Sequence, residues 1–149
     1  MNKLVLILMF CCGLAACGEN GAKKSDAAKV EQTPSQAKKD CVEILYFHGK
    51  QRCVTCMAIE THAKEAVESH FADEFRNGTV VFKSIDISKP ENKKMAEKYK
   101  VSWASLFISR WQAGKETYEN LTVYAFATAR TAPDTFKKGV IEKIDELLK

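Results

Sequence analysis

The sequence predicts an α/β domain in which a four-stranded mixed sheet is flanked by helices, in the order βαβαββα. Three observations carry that expectation. Short runs rich in β-branched and aromatic residues, such as Val42-Glu43-Ile44-Leu45-Tyr46-Phe47-His48, alternate with stretches rich in Ala, Glu and Lys. A C-x-x-C pair, Cys53-Val54-Thr55-Cys56, stands between the first strand of this pattern and its first helix. The length, 149 residues, suits one domain once a targeting segment is set aside.

The folded unit is expected over residues 41–149. Its first strand, 42–48, leads into the cysteine loop, and a helix without Gly or Pro follows from Met57 to Phe71. There Cys56, Ile59, Ala63, Ala66, Val67 and His70 recur at near-helical spacing and should face the sheet. Asn77-Gly78 is a turn signal, and residues 79–87 read as the second strand. Ser88-Lys89-Pro90-Glu91 has the pattern of a helix start, with Ser88 capping, Glu91 reaching back and Pro90 in the first turn. That helix should run to about Lys100. Residues 105–111 form the third strand, and Gln112-Ala113-Gly114-Lys115 turns the chain into a fourth over 116–121. Thr131-Ala132-Pro133-Asp134 repeats the capping pattern and opens the last helix. Phe136, Val140, Ile144 and Leu147 make one stripe on it, widened by Ile141 and Leu148. A helix between the first two strands makes them parallel, and the last two strands form an antiparallel hairpin.

Residues 1–16 read as a lipoprotein signal peptide. Lys3 supplies a positive start, Leu4 to Phe10 are apolar, and Leu14-Ala15-Ala16-Cys17 resembles the box cut by lipoprotein signal peptidase. The apolar stretch is too short for the roughly 20 residues of a membrane helix. Cys17 is therefore the expected lipidation site; an ordinary cleaved signal containing cysteine is the alternative. Residues 17–40 read as the lipidated cysteine and a flexible tether, since this segment is polar and Val30 is its only large aliphatic residue. As a coil it would span roughly 25–30 Å. The expected location is the bacterial cell envelope, with the domain held to a membrane through its lipid anchor, facing the periplasm or the surface.

Losing residues 1–16 removes only Lys3 and takes the formal charge from +4 to +3. So small an excess does not point to nucleic acid, and the lysine doublets are scattered along the chain. Cys11 and Cys12 leave with the signal, so Cys41, Cys53 and Cys56 remain for thiol chemistry. An exported compartment lets such a pair cycle or stay bridged.

A sulfur over a helix N-terminus meets unpaired backbone N–H groups and the positive end of the macrodipole, which favour thiolate. Cys53 is thus the expected nucleophile, with Arg52 and Lys50 adding positive charge, and Cys56 the resolving thiol. Two other readings stand beside this one. A static disulfide would close too small a loop to stabilise much. Two thiolates are half of a tetrahedral zinc site, but His62 lies on another helix face and His70 farther still, so no metal or other cofactor is expected. His48, next to the loop, is a candidate ligand or acid–base group, or a solvated loop histidine. Cys41, at the far end of the first strand, lies roughly 20 Å away. That exceeds the reach of a disulfide, leaving a buried inert thiol or an intermolecular partner.

The element order, with C-x-x-C heading the first helix, resembles the thioredoxin-like superfamily in its minimal, glutaredoxin-like form, from Cys41 to the C-terminus. The stretch from Tyr46 to Glu60, YFHGKQRCVTCMAIE, is similar to exported thioredoxin-like small subunits of nitrophenyl-compound reduction systems. The resemblance implies a thiol–disulfide oxidoreductase whose partners are envelope protein thiols and disulfides, with a membrane thiol carrier as a possible electron donor. It also admits a redox accessory subunit of a nitroaromatic-compound reductase, or a metal-binding or scaffolding lipoprotein. Two features depart from the family pattern. The loop Lys100-Val101-Ser102-Trp103-Ala104-Ser105, which should face the cysteines, lacks the usual cis-proline. A non-proline cis bond costs about 3–4 kcal/mol, so a trans loop is expected there. Its Trp103-Ala104-Ser105 backbone can still receive a partner, with Trp103 as an apolar rim or a cap on the core. The second departure concerns the acid usually buried beneath the cysteines: Phe47 takes its expected position, leaving Glu60 as the candidate proton acceptor or a solvated carboxylate.

Overall fold

Pairing on both sides of one central strand organises the domain in the computed structural model, which describes residues 39–149. The signal peptide, Cys17 and nearly all of the tether lie outside the described residues. Strand β1 (Cys41–His48) is followed by helices α1 (Val54–His70) and α2 (Ala72–Asn77), then β2 (Val80–Asp86). A 3₁₀ turn (Pro90–Asn92) leads into α3 (Lys93–Lys98), β3 (Ser105–Gln112), β4 (Lys115–Asn120), α4 (Thr122–Thr128) and α5 (Pro133–Leu148). The sheet order is β2-β1-β3-β4, with β2 parallel to β1 and the β1–β3 and β3–β4 pairs antiparallel. This is the expected mixed α/β sheet with two helices more than the sequence pattern gave.

Alternation along β1 assigns its side chains to two cores. Val42, Ile44 and Tyr46 join Ile59, Ala63 and Val67 of α1, Ala125 of α4, and Phe136, Val140 and Ile144 of α5. Leu45 and Phe47 turn to the opposite face, where they meet Ile85, Tyr99 and Phe107, with Met95 of α3 against them. The apolar stripe read on the last helix is the buried face of α5. Helix α5 also passes close to α4: a β-carbon on Gly139 would stand 2.2 Å from the Tyr124 hydroxyl oxygen.

Several local expectations are corrected. Helix α1 begins at Val54, three residues before the expected start, so Cys56 lies inside its first turn. His70 is exposed, its ring edge against Phe71, and does not face the sheet. Ser88 caps nothing. Its amide and hydroxyl both donate to Asp86 Oδ1, at 2.9 and 2.7 Å, so the side chain is spent on the turn before the helix. Thr131 likewise donates to the Ala127 carbonyl, and α5 starts at Pro133 with no side-chain cap. Helices α2 and α4 were not expected at all.

Candidate functional site

The cysteine pair sits where β1 hands the chain to α1. Cys53 is the N-cap residue, in extended backbone (φ −79°, ψ 163°), and its sulfur accepts a hydrogen bond from the Cys56 amide at 3.0 Å. No acidic side chain occupies the first turn of α1, so nothing there opposes a negative charge on that sulfur. Cys53 and Cys56 form a disulfide, with α-carbons 5.0 Å apart. Cys53 is exposed and Cys56 buried, as a nucleophile and a resolving thiol would need to be. Cys41 stays outside this disulfide, buried at the other end of β1.

The group beneath the pair is Tyr46, not Phe47. Tyr46 is fully buried, and its hydroxyl donates to the Cys56 carbonyl at 2.8 Å. Burial raises its hydroxyl above the ordinary tyrosine value, against the lowering pull of the Arg52 guanidinium. Phe47 points into the other core, 5.3 Å from Tyr99 and 5.8 Å from Phe107 between ring centroids. One step of strand parity separates the two positions, and with it the face of the sheet.

Arg52, Glu60 and Ser84 tie this corner to the sheet. The Arg52 guanidinium stands 5.5 Å from the centroid of the Tyr46 ring and forms an ion pair with Glu60, on the second turn of α1. The Ser84 hydroxyl, from β2, donates to the other Glu60 oxygen. Burial pushes the Glu60 carboxyl up, but the bonds from Ser84 and Arg52 outweigh it and hold the group below its ordinary range. Glu60 is therefore an ionised, fully engaged carboxylate at neutral pH. That differs from a solvated helix carboxylate.

The remaining predicted residues gather less tightly. His48 donates from Nδ1 to the Gly49 carbonyl at 2.9 Å and stacks on Tyr46 at 5.8 Å, and Lys50 projects into solvent. His62 pairs with Glu65 at 3.1 Å. Among the described residues, no three His, Cys, Asp or Glu side chains are grouped to hold a metal ion. Phe47 pairs with Ser105 across β1 and β3, so the Trp103-Ala104-Ser105 segment adjoins the end of β1 from which the cysteine loop departs. Trp103 is more than half exposed, and its ring lies 5.4 Å from Phe126 of α4. The Ser105 hydroxyl donates to the Trp103 carbonyl at 3.1 Å. Val54 and Met57, flanking the cysteines on α1, are also exposed.

No protein-family model and no curated protein matches the chain. Among solved structures, it is similar to a thioredoxin from Thermus thermophilus at a TM-score of 0.46 and 18% identity, covering 69% of this chain and 73% of that one. It is also similar to thioredoxin-2 of the malaria parasite, described as a component of its protein secretion machinery, at a TM-score of 0.40 and 17% identity over 68% and 85% of the two chains. A third likeness is to a malarial protein, at a TM-score of 0.41 and 14% identity over 70% and 97%. The strand order and the disulfide at the head of α1 are themselves those of a thioredoxin-like fold.

Proposed function

We propose that the domain is a thiol–disulfide oxidoreductase of the bacterial envelope, held to a membrane by lipid on Cys17. The observation that carries the redox reading is the disulfide between an exposed N-cap sulfur, Cys53, and a buried neighbour, Cys56. In the reduced form the Cys53 thiolate attacks one sulfur of a partner disulfide. A Cys53–partner bond forms as the partner's S–S bond breaks, and the partner's second sulfur leaves as a thiolate that takes up a proton. Cys56, losing its proton to solvent, then attacks the Cys53 sulfur. The Cys53–Cys56 bond forms as the Cys53–partner bond breaks, the partner's first sulfur leaves as a thiolate that takes up a proton, and the partner, now a dithiol, has received two electrons. A dithiol donor returns the pair to its reduced state by the same steps in reverse. Exposed Val54, Met57 and Trp103 supply an apolar rim for a partner segment lying along Trp103-Ala104-Ser105.

Replacing the resolving thiol tests this directly. Cys56→Ser should accumulate mixed disulfides through Cys53 in cells, and Cys53→Ser/Cys56→Ser should accumulate none. Failure of the single variant to trap any partner would remove the redox reading. The anchor reading rests on Leu14-Ala15-Ala16-Cys17. Cys17→Ser should abolish labelling by a fatty-acid probe and move the protein out of the membrane fraction, since stable anchoring takes more than one acyl chain. An unchanged membrane fraction would refute it.

A further inference from the structure

Arg52 is the cation nearest to Cys53 in sequence, yet its contacts lead elsewhere. Its guanidinium is spread on the Tyr46 ring and paired with Glu60, while the Cys53 sulfur takes its hydrogen bond from the Cys56 amide. The arginine keeps this position although its Nε is buried with no partner among the described residues. A buried donor left without a partner is unfavourable, so an attraction elsewhere on the side chain holds it there. Glu60 supplies it, and Ser84 fixes Glu60 in turn from β2.

The geometry points to Glu60 as a positioning residue that draws the Arg52 guanidinium onto the sheet and off the Cys53 sulfur, leaving the helix amides to hold the nucleophile's charge. This deepens the redox reading and rests on it. Arg52–Glu60 then acts as a tuning pair: the arginine is a cation in reserve, and the glutamate sets how much of it the sulfur feels. The charged and titratable groups around this corner are Lys50 and Arg52 from the loop, Tyr46 and His48 from β1, Glu60 from α1 and Asp86 from β2. Residues 101–105 carry no ionisable side chain, and α4 contributes only Tyr124. Of these, Glu60 is the group joined to Arg52 by an ion pair. Both members are about three-quarters buried, which limits screening of the pair by solvent.

Two charge effects can be told apart. Glu60 lies about 10 Å along the helix axis from Cys53, so its own charge reaches the sulfur weakly. Its hold on Arg52, a chain neighbour of Cys53, acts at shorter range. Glu60→Asp keeps the charge but shortens the reach, and so separates the two.

The test is the pH midpoint of Cys53 alkylation by iodoacetamide, followed by mass spectrometry on the reduced full-length protein. Glu60→Gln should move the midpoint down by about half to one pH unit, because a freed arginine favours thiolate. Glu60→Asp should move it in the same direction. Arg52→Gln should move it up, and in that background Glu60→Gln should have less than half of its effect in wild type. Thermal unfolding of each variant checks that the fold is kept. If Glu60→Asp matches wild type, or if the two changes add without coupling, Glu60 does not act through Arg52 and the inference falls. If wild-type Cys53 itself ionises no lower than the roughly 8.5 of a free cysteine, the redox reading fails first.

Discussion

On the face beneath α1, Glu60 takes a hydrogen bond from Ser84 and an ion pair from Arg52. On the opposite face, Glu116 of β4 accepts from Ser109 at 2.6 Å and from Tyr99, and pairs with Lys98. Lys98 in turn lies 5.1 and 5.0 Å from the Tyr99 and Trp111 ring centroids. Nearby Glu43, almost fully buried, accepts from Lys83 at 2.6 Å and from Trp111 at 3.1 Å. Burial pushes both Glu60 and Glu116 up, and in both the donors win and hold the carboxyl below its ordinary range. The two glutamates thus have the same local chemistry and differ in what stands next to them. Glu60 faces the corner that carries the disulfide. The Glu116 group packs among aromatic rings, where Tyr99 is itself raised by burial and by the carboxylate beside it. On the reading proposed above, Glu60 bears on Cys53 because its partner cation, Arg52, is the chain neighbour of that sulfur.

Stability and reactivity should separate along that line. Glu116→Gln removes the charge that Lys98, Ser109 and Tyr99 converge on, with a side chain only 9% exposed. The expected loss is about 1–3 kcal/mol in urea unfolding. The alkylation midpoint of Cys53 should stay at the wild-type value. Glu60→Gln, with a side chain 24% exposed, should cost less than Glu116→Gln while moving that midpoint. The acid limb gives a second reading. A carboxyl held low in the folded state contributes stability that is present above its unfolded pKa of about 4.3 and is lost as pH falls through the lower folded value. The slope of stability against pH below about 5 should therefore flatten in both Glu116→Gln and Glu60→Gln. A moved Cys53 midpoint in Glu116→Gln, or an unmoved one in Glu60→Gln, would erase the distinction between the faces.

How much of this was legible in sequence follows from the range of the forces involved. Strands and the large helices were readable because periodicity and composition report burial locally: Phe136, Val140 and Ile144 on α5 and the β-branched runs on β1 and β2 are cases. The cysteine pair at the start of α1 was readable for the same reason. Helix α4 was not, since Thr122-Val123-Tyr124-Ala125-Phe126 has the β-branched and aromatic content of a strand; the crossing with α5 at Gly139 favours the helix. Ser88 and Thr131 fit the pattern of caps, but their hydroxyls bond locally to Asp86 and to the Ala127 carbonyl, and no side chain caps the helix that follows either one. The site's missed member was Tyr46. Residues of opposite parity on β1 face opposite cores, and Leu45, Tyr46 and Phe47 are all buried, so apolarity alone could not show which one lies under Cys56. The Arg52–Glu60 pair was also hidden: both residues were singled out, but their joining depends on how the loop folds back over α1.

The β3–β4 hairpin offers the smallest test, and a check that changes far from the disulfide leave the chemistry alone. Its two-residue loop, Ala113-Gly114, has both residues left-handed, with φ of 51° and 74°, as in a type I′ turn closed by Gln112 and Lys115. Gly114 takes this conformation without penalty, whereas Ala113 pays for its β-carbon. Its amide donates to Asp40 Oδ1 at 2.8 Å, a bond that any side chain at 113 except proline would keep. Ala113→Asn should stabilise the domain by about 0.5–1 kcal/mol in urea unfolding, because asparagine tolerates the left-handed region better than alanine. Ala113→Gly should gain less, since glycine also widens the conformational freedom of the unfolded chain. Neither should move the Cys53 midpoint. An Ala113→Asn domain weaker than wild type would mean that residue 113 is not left-handed in solution, and that the hairpin closes through a different turn.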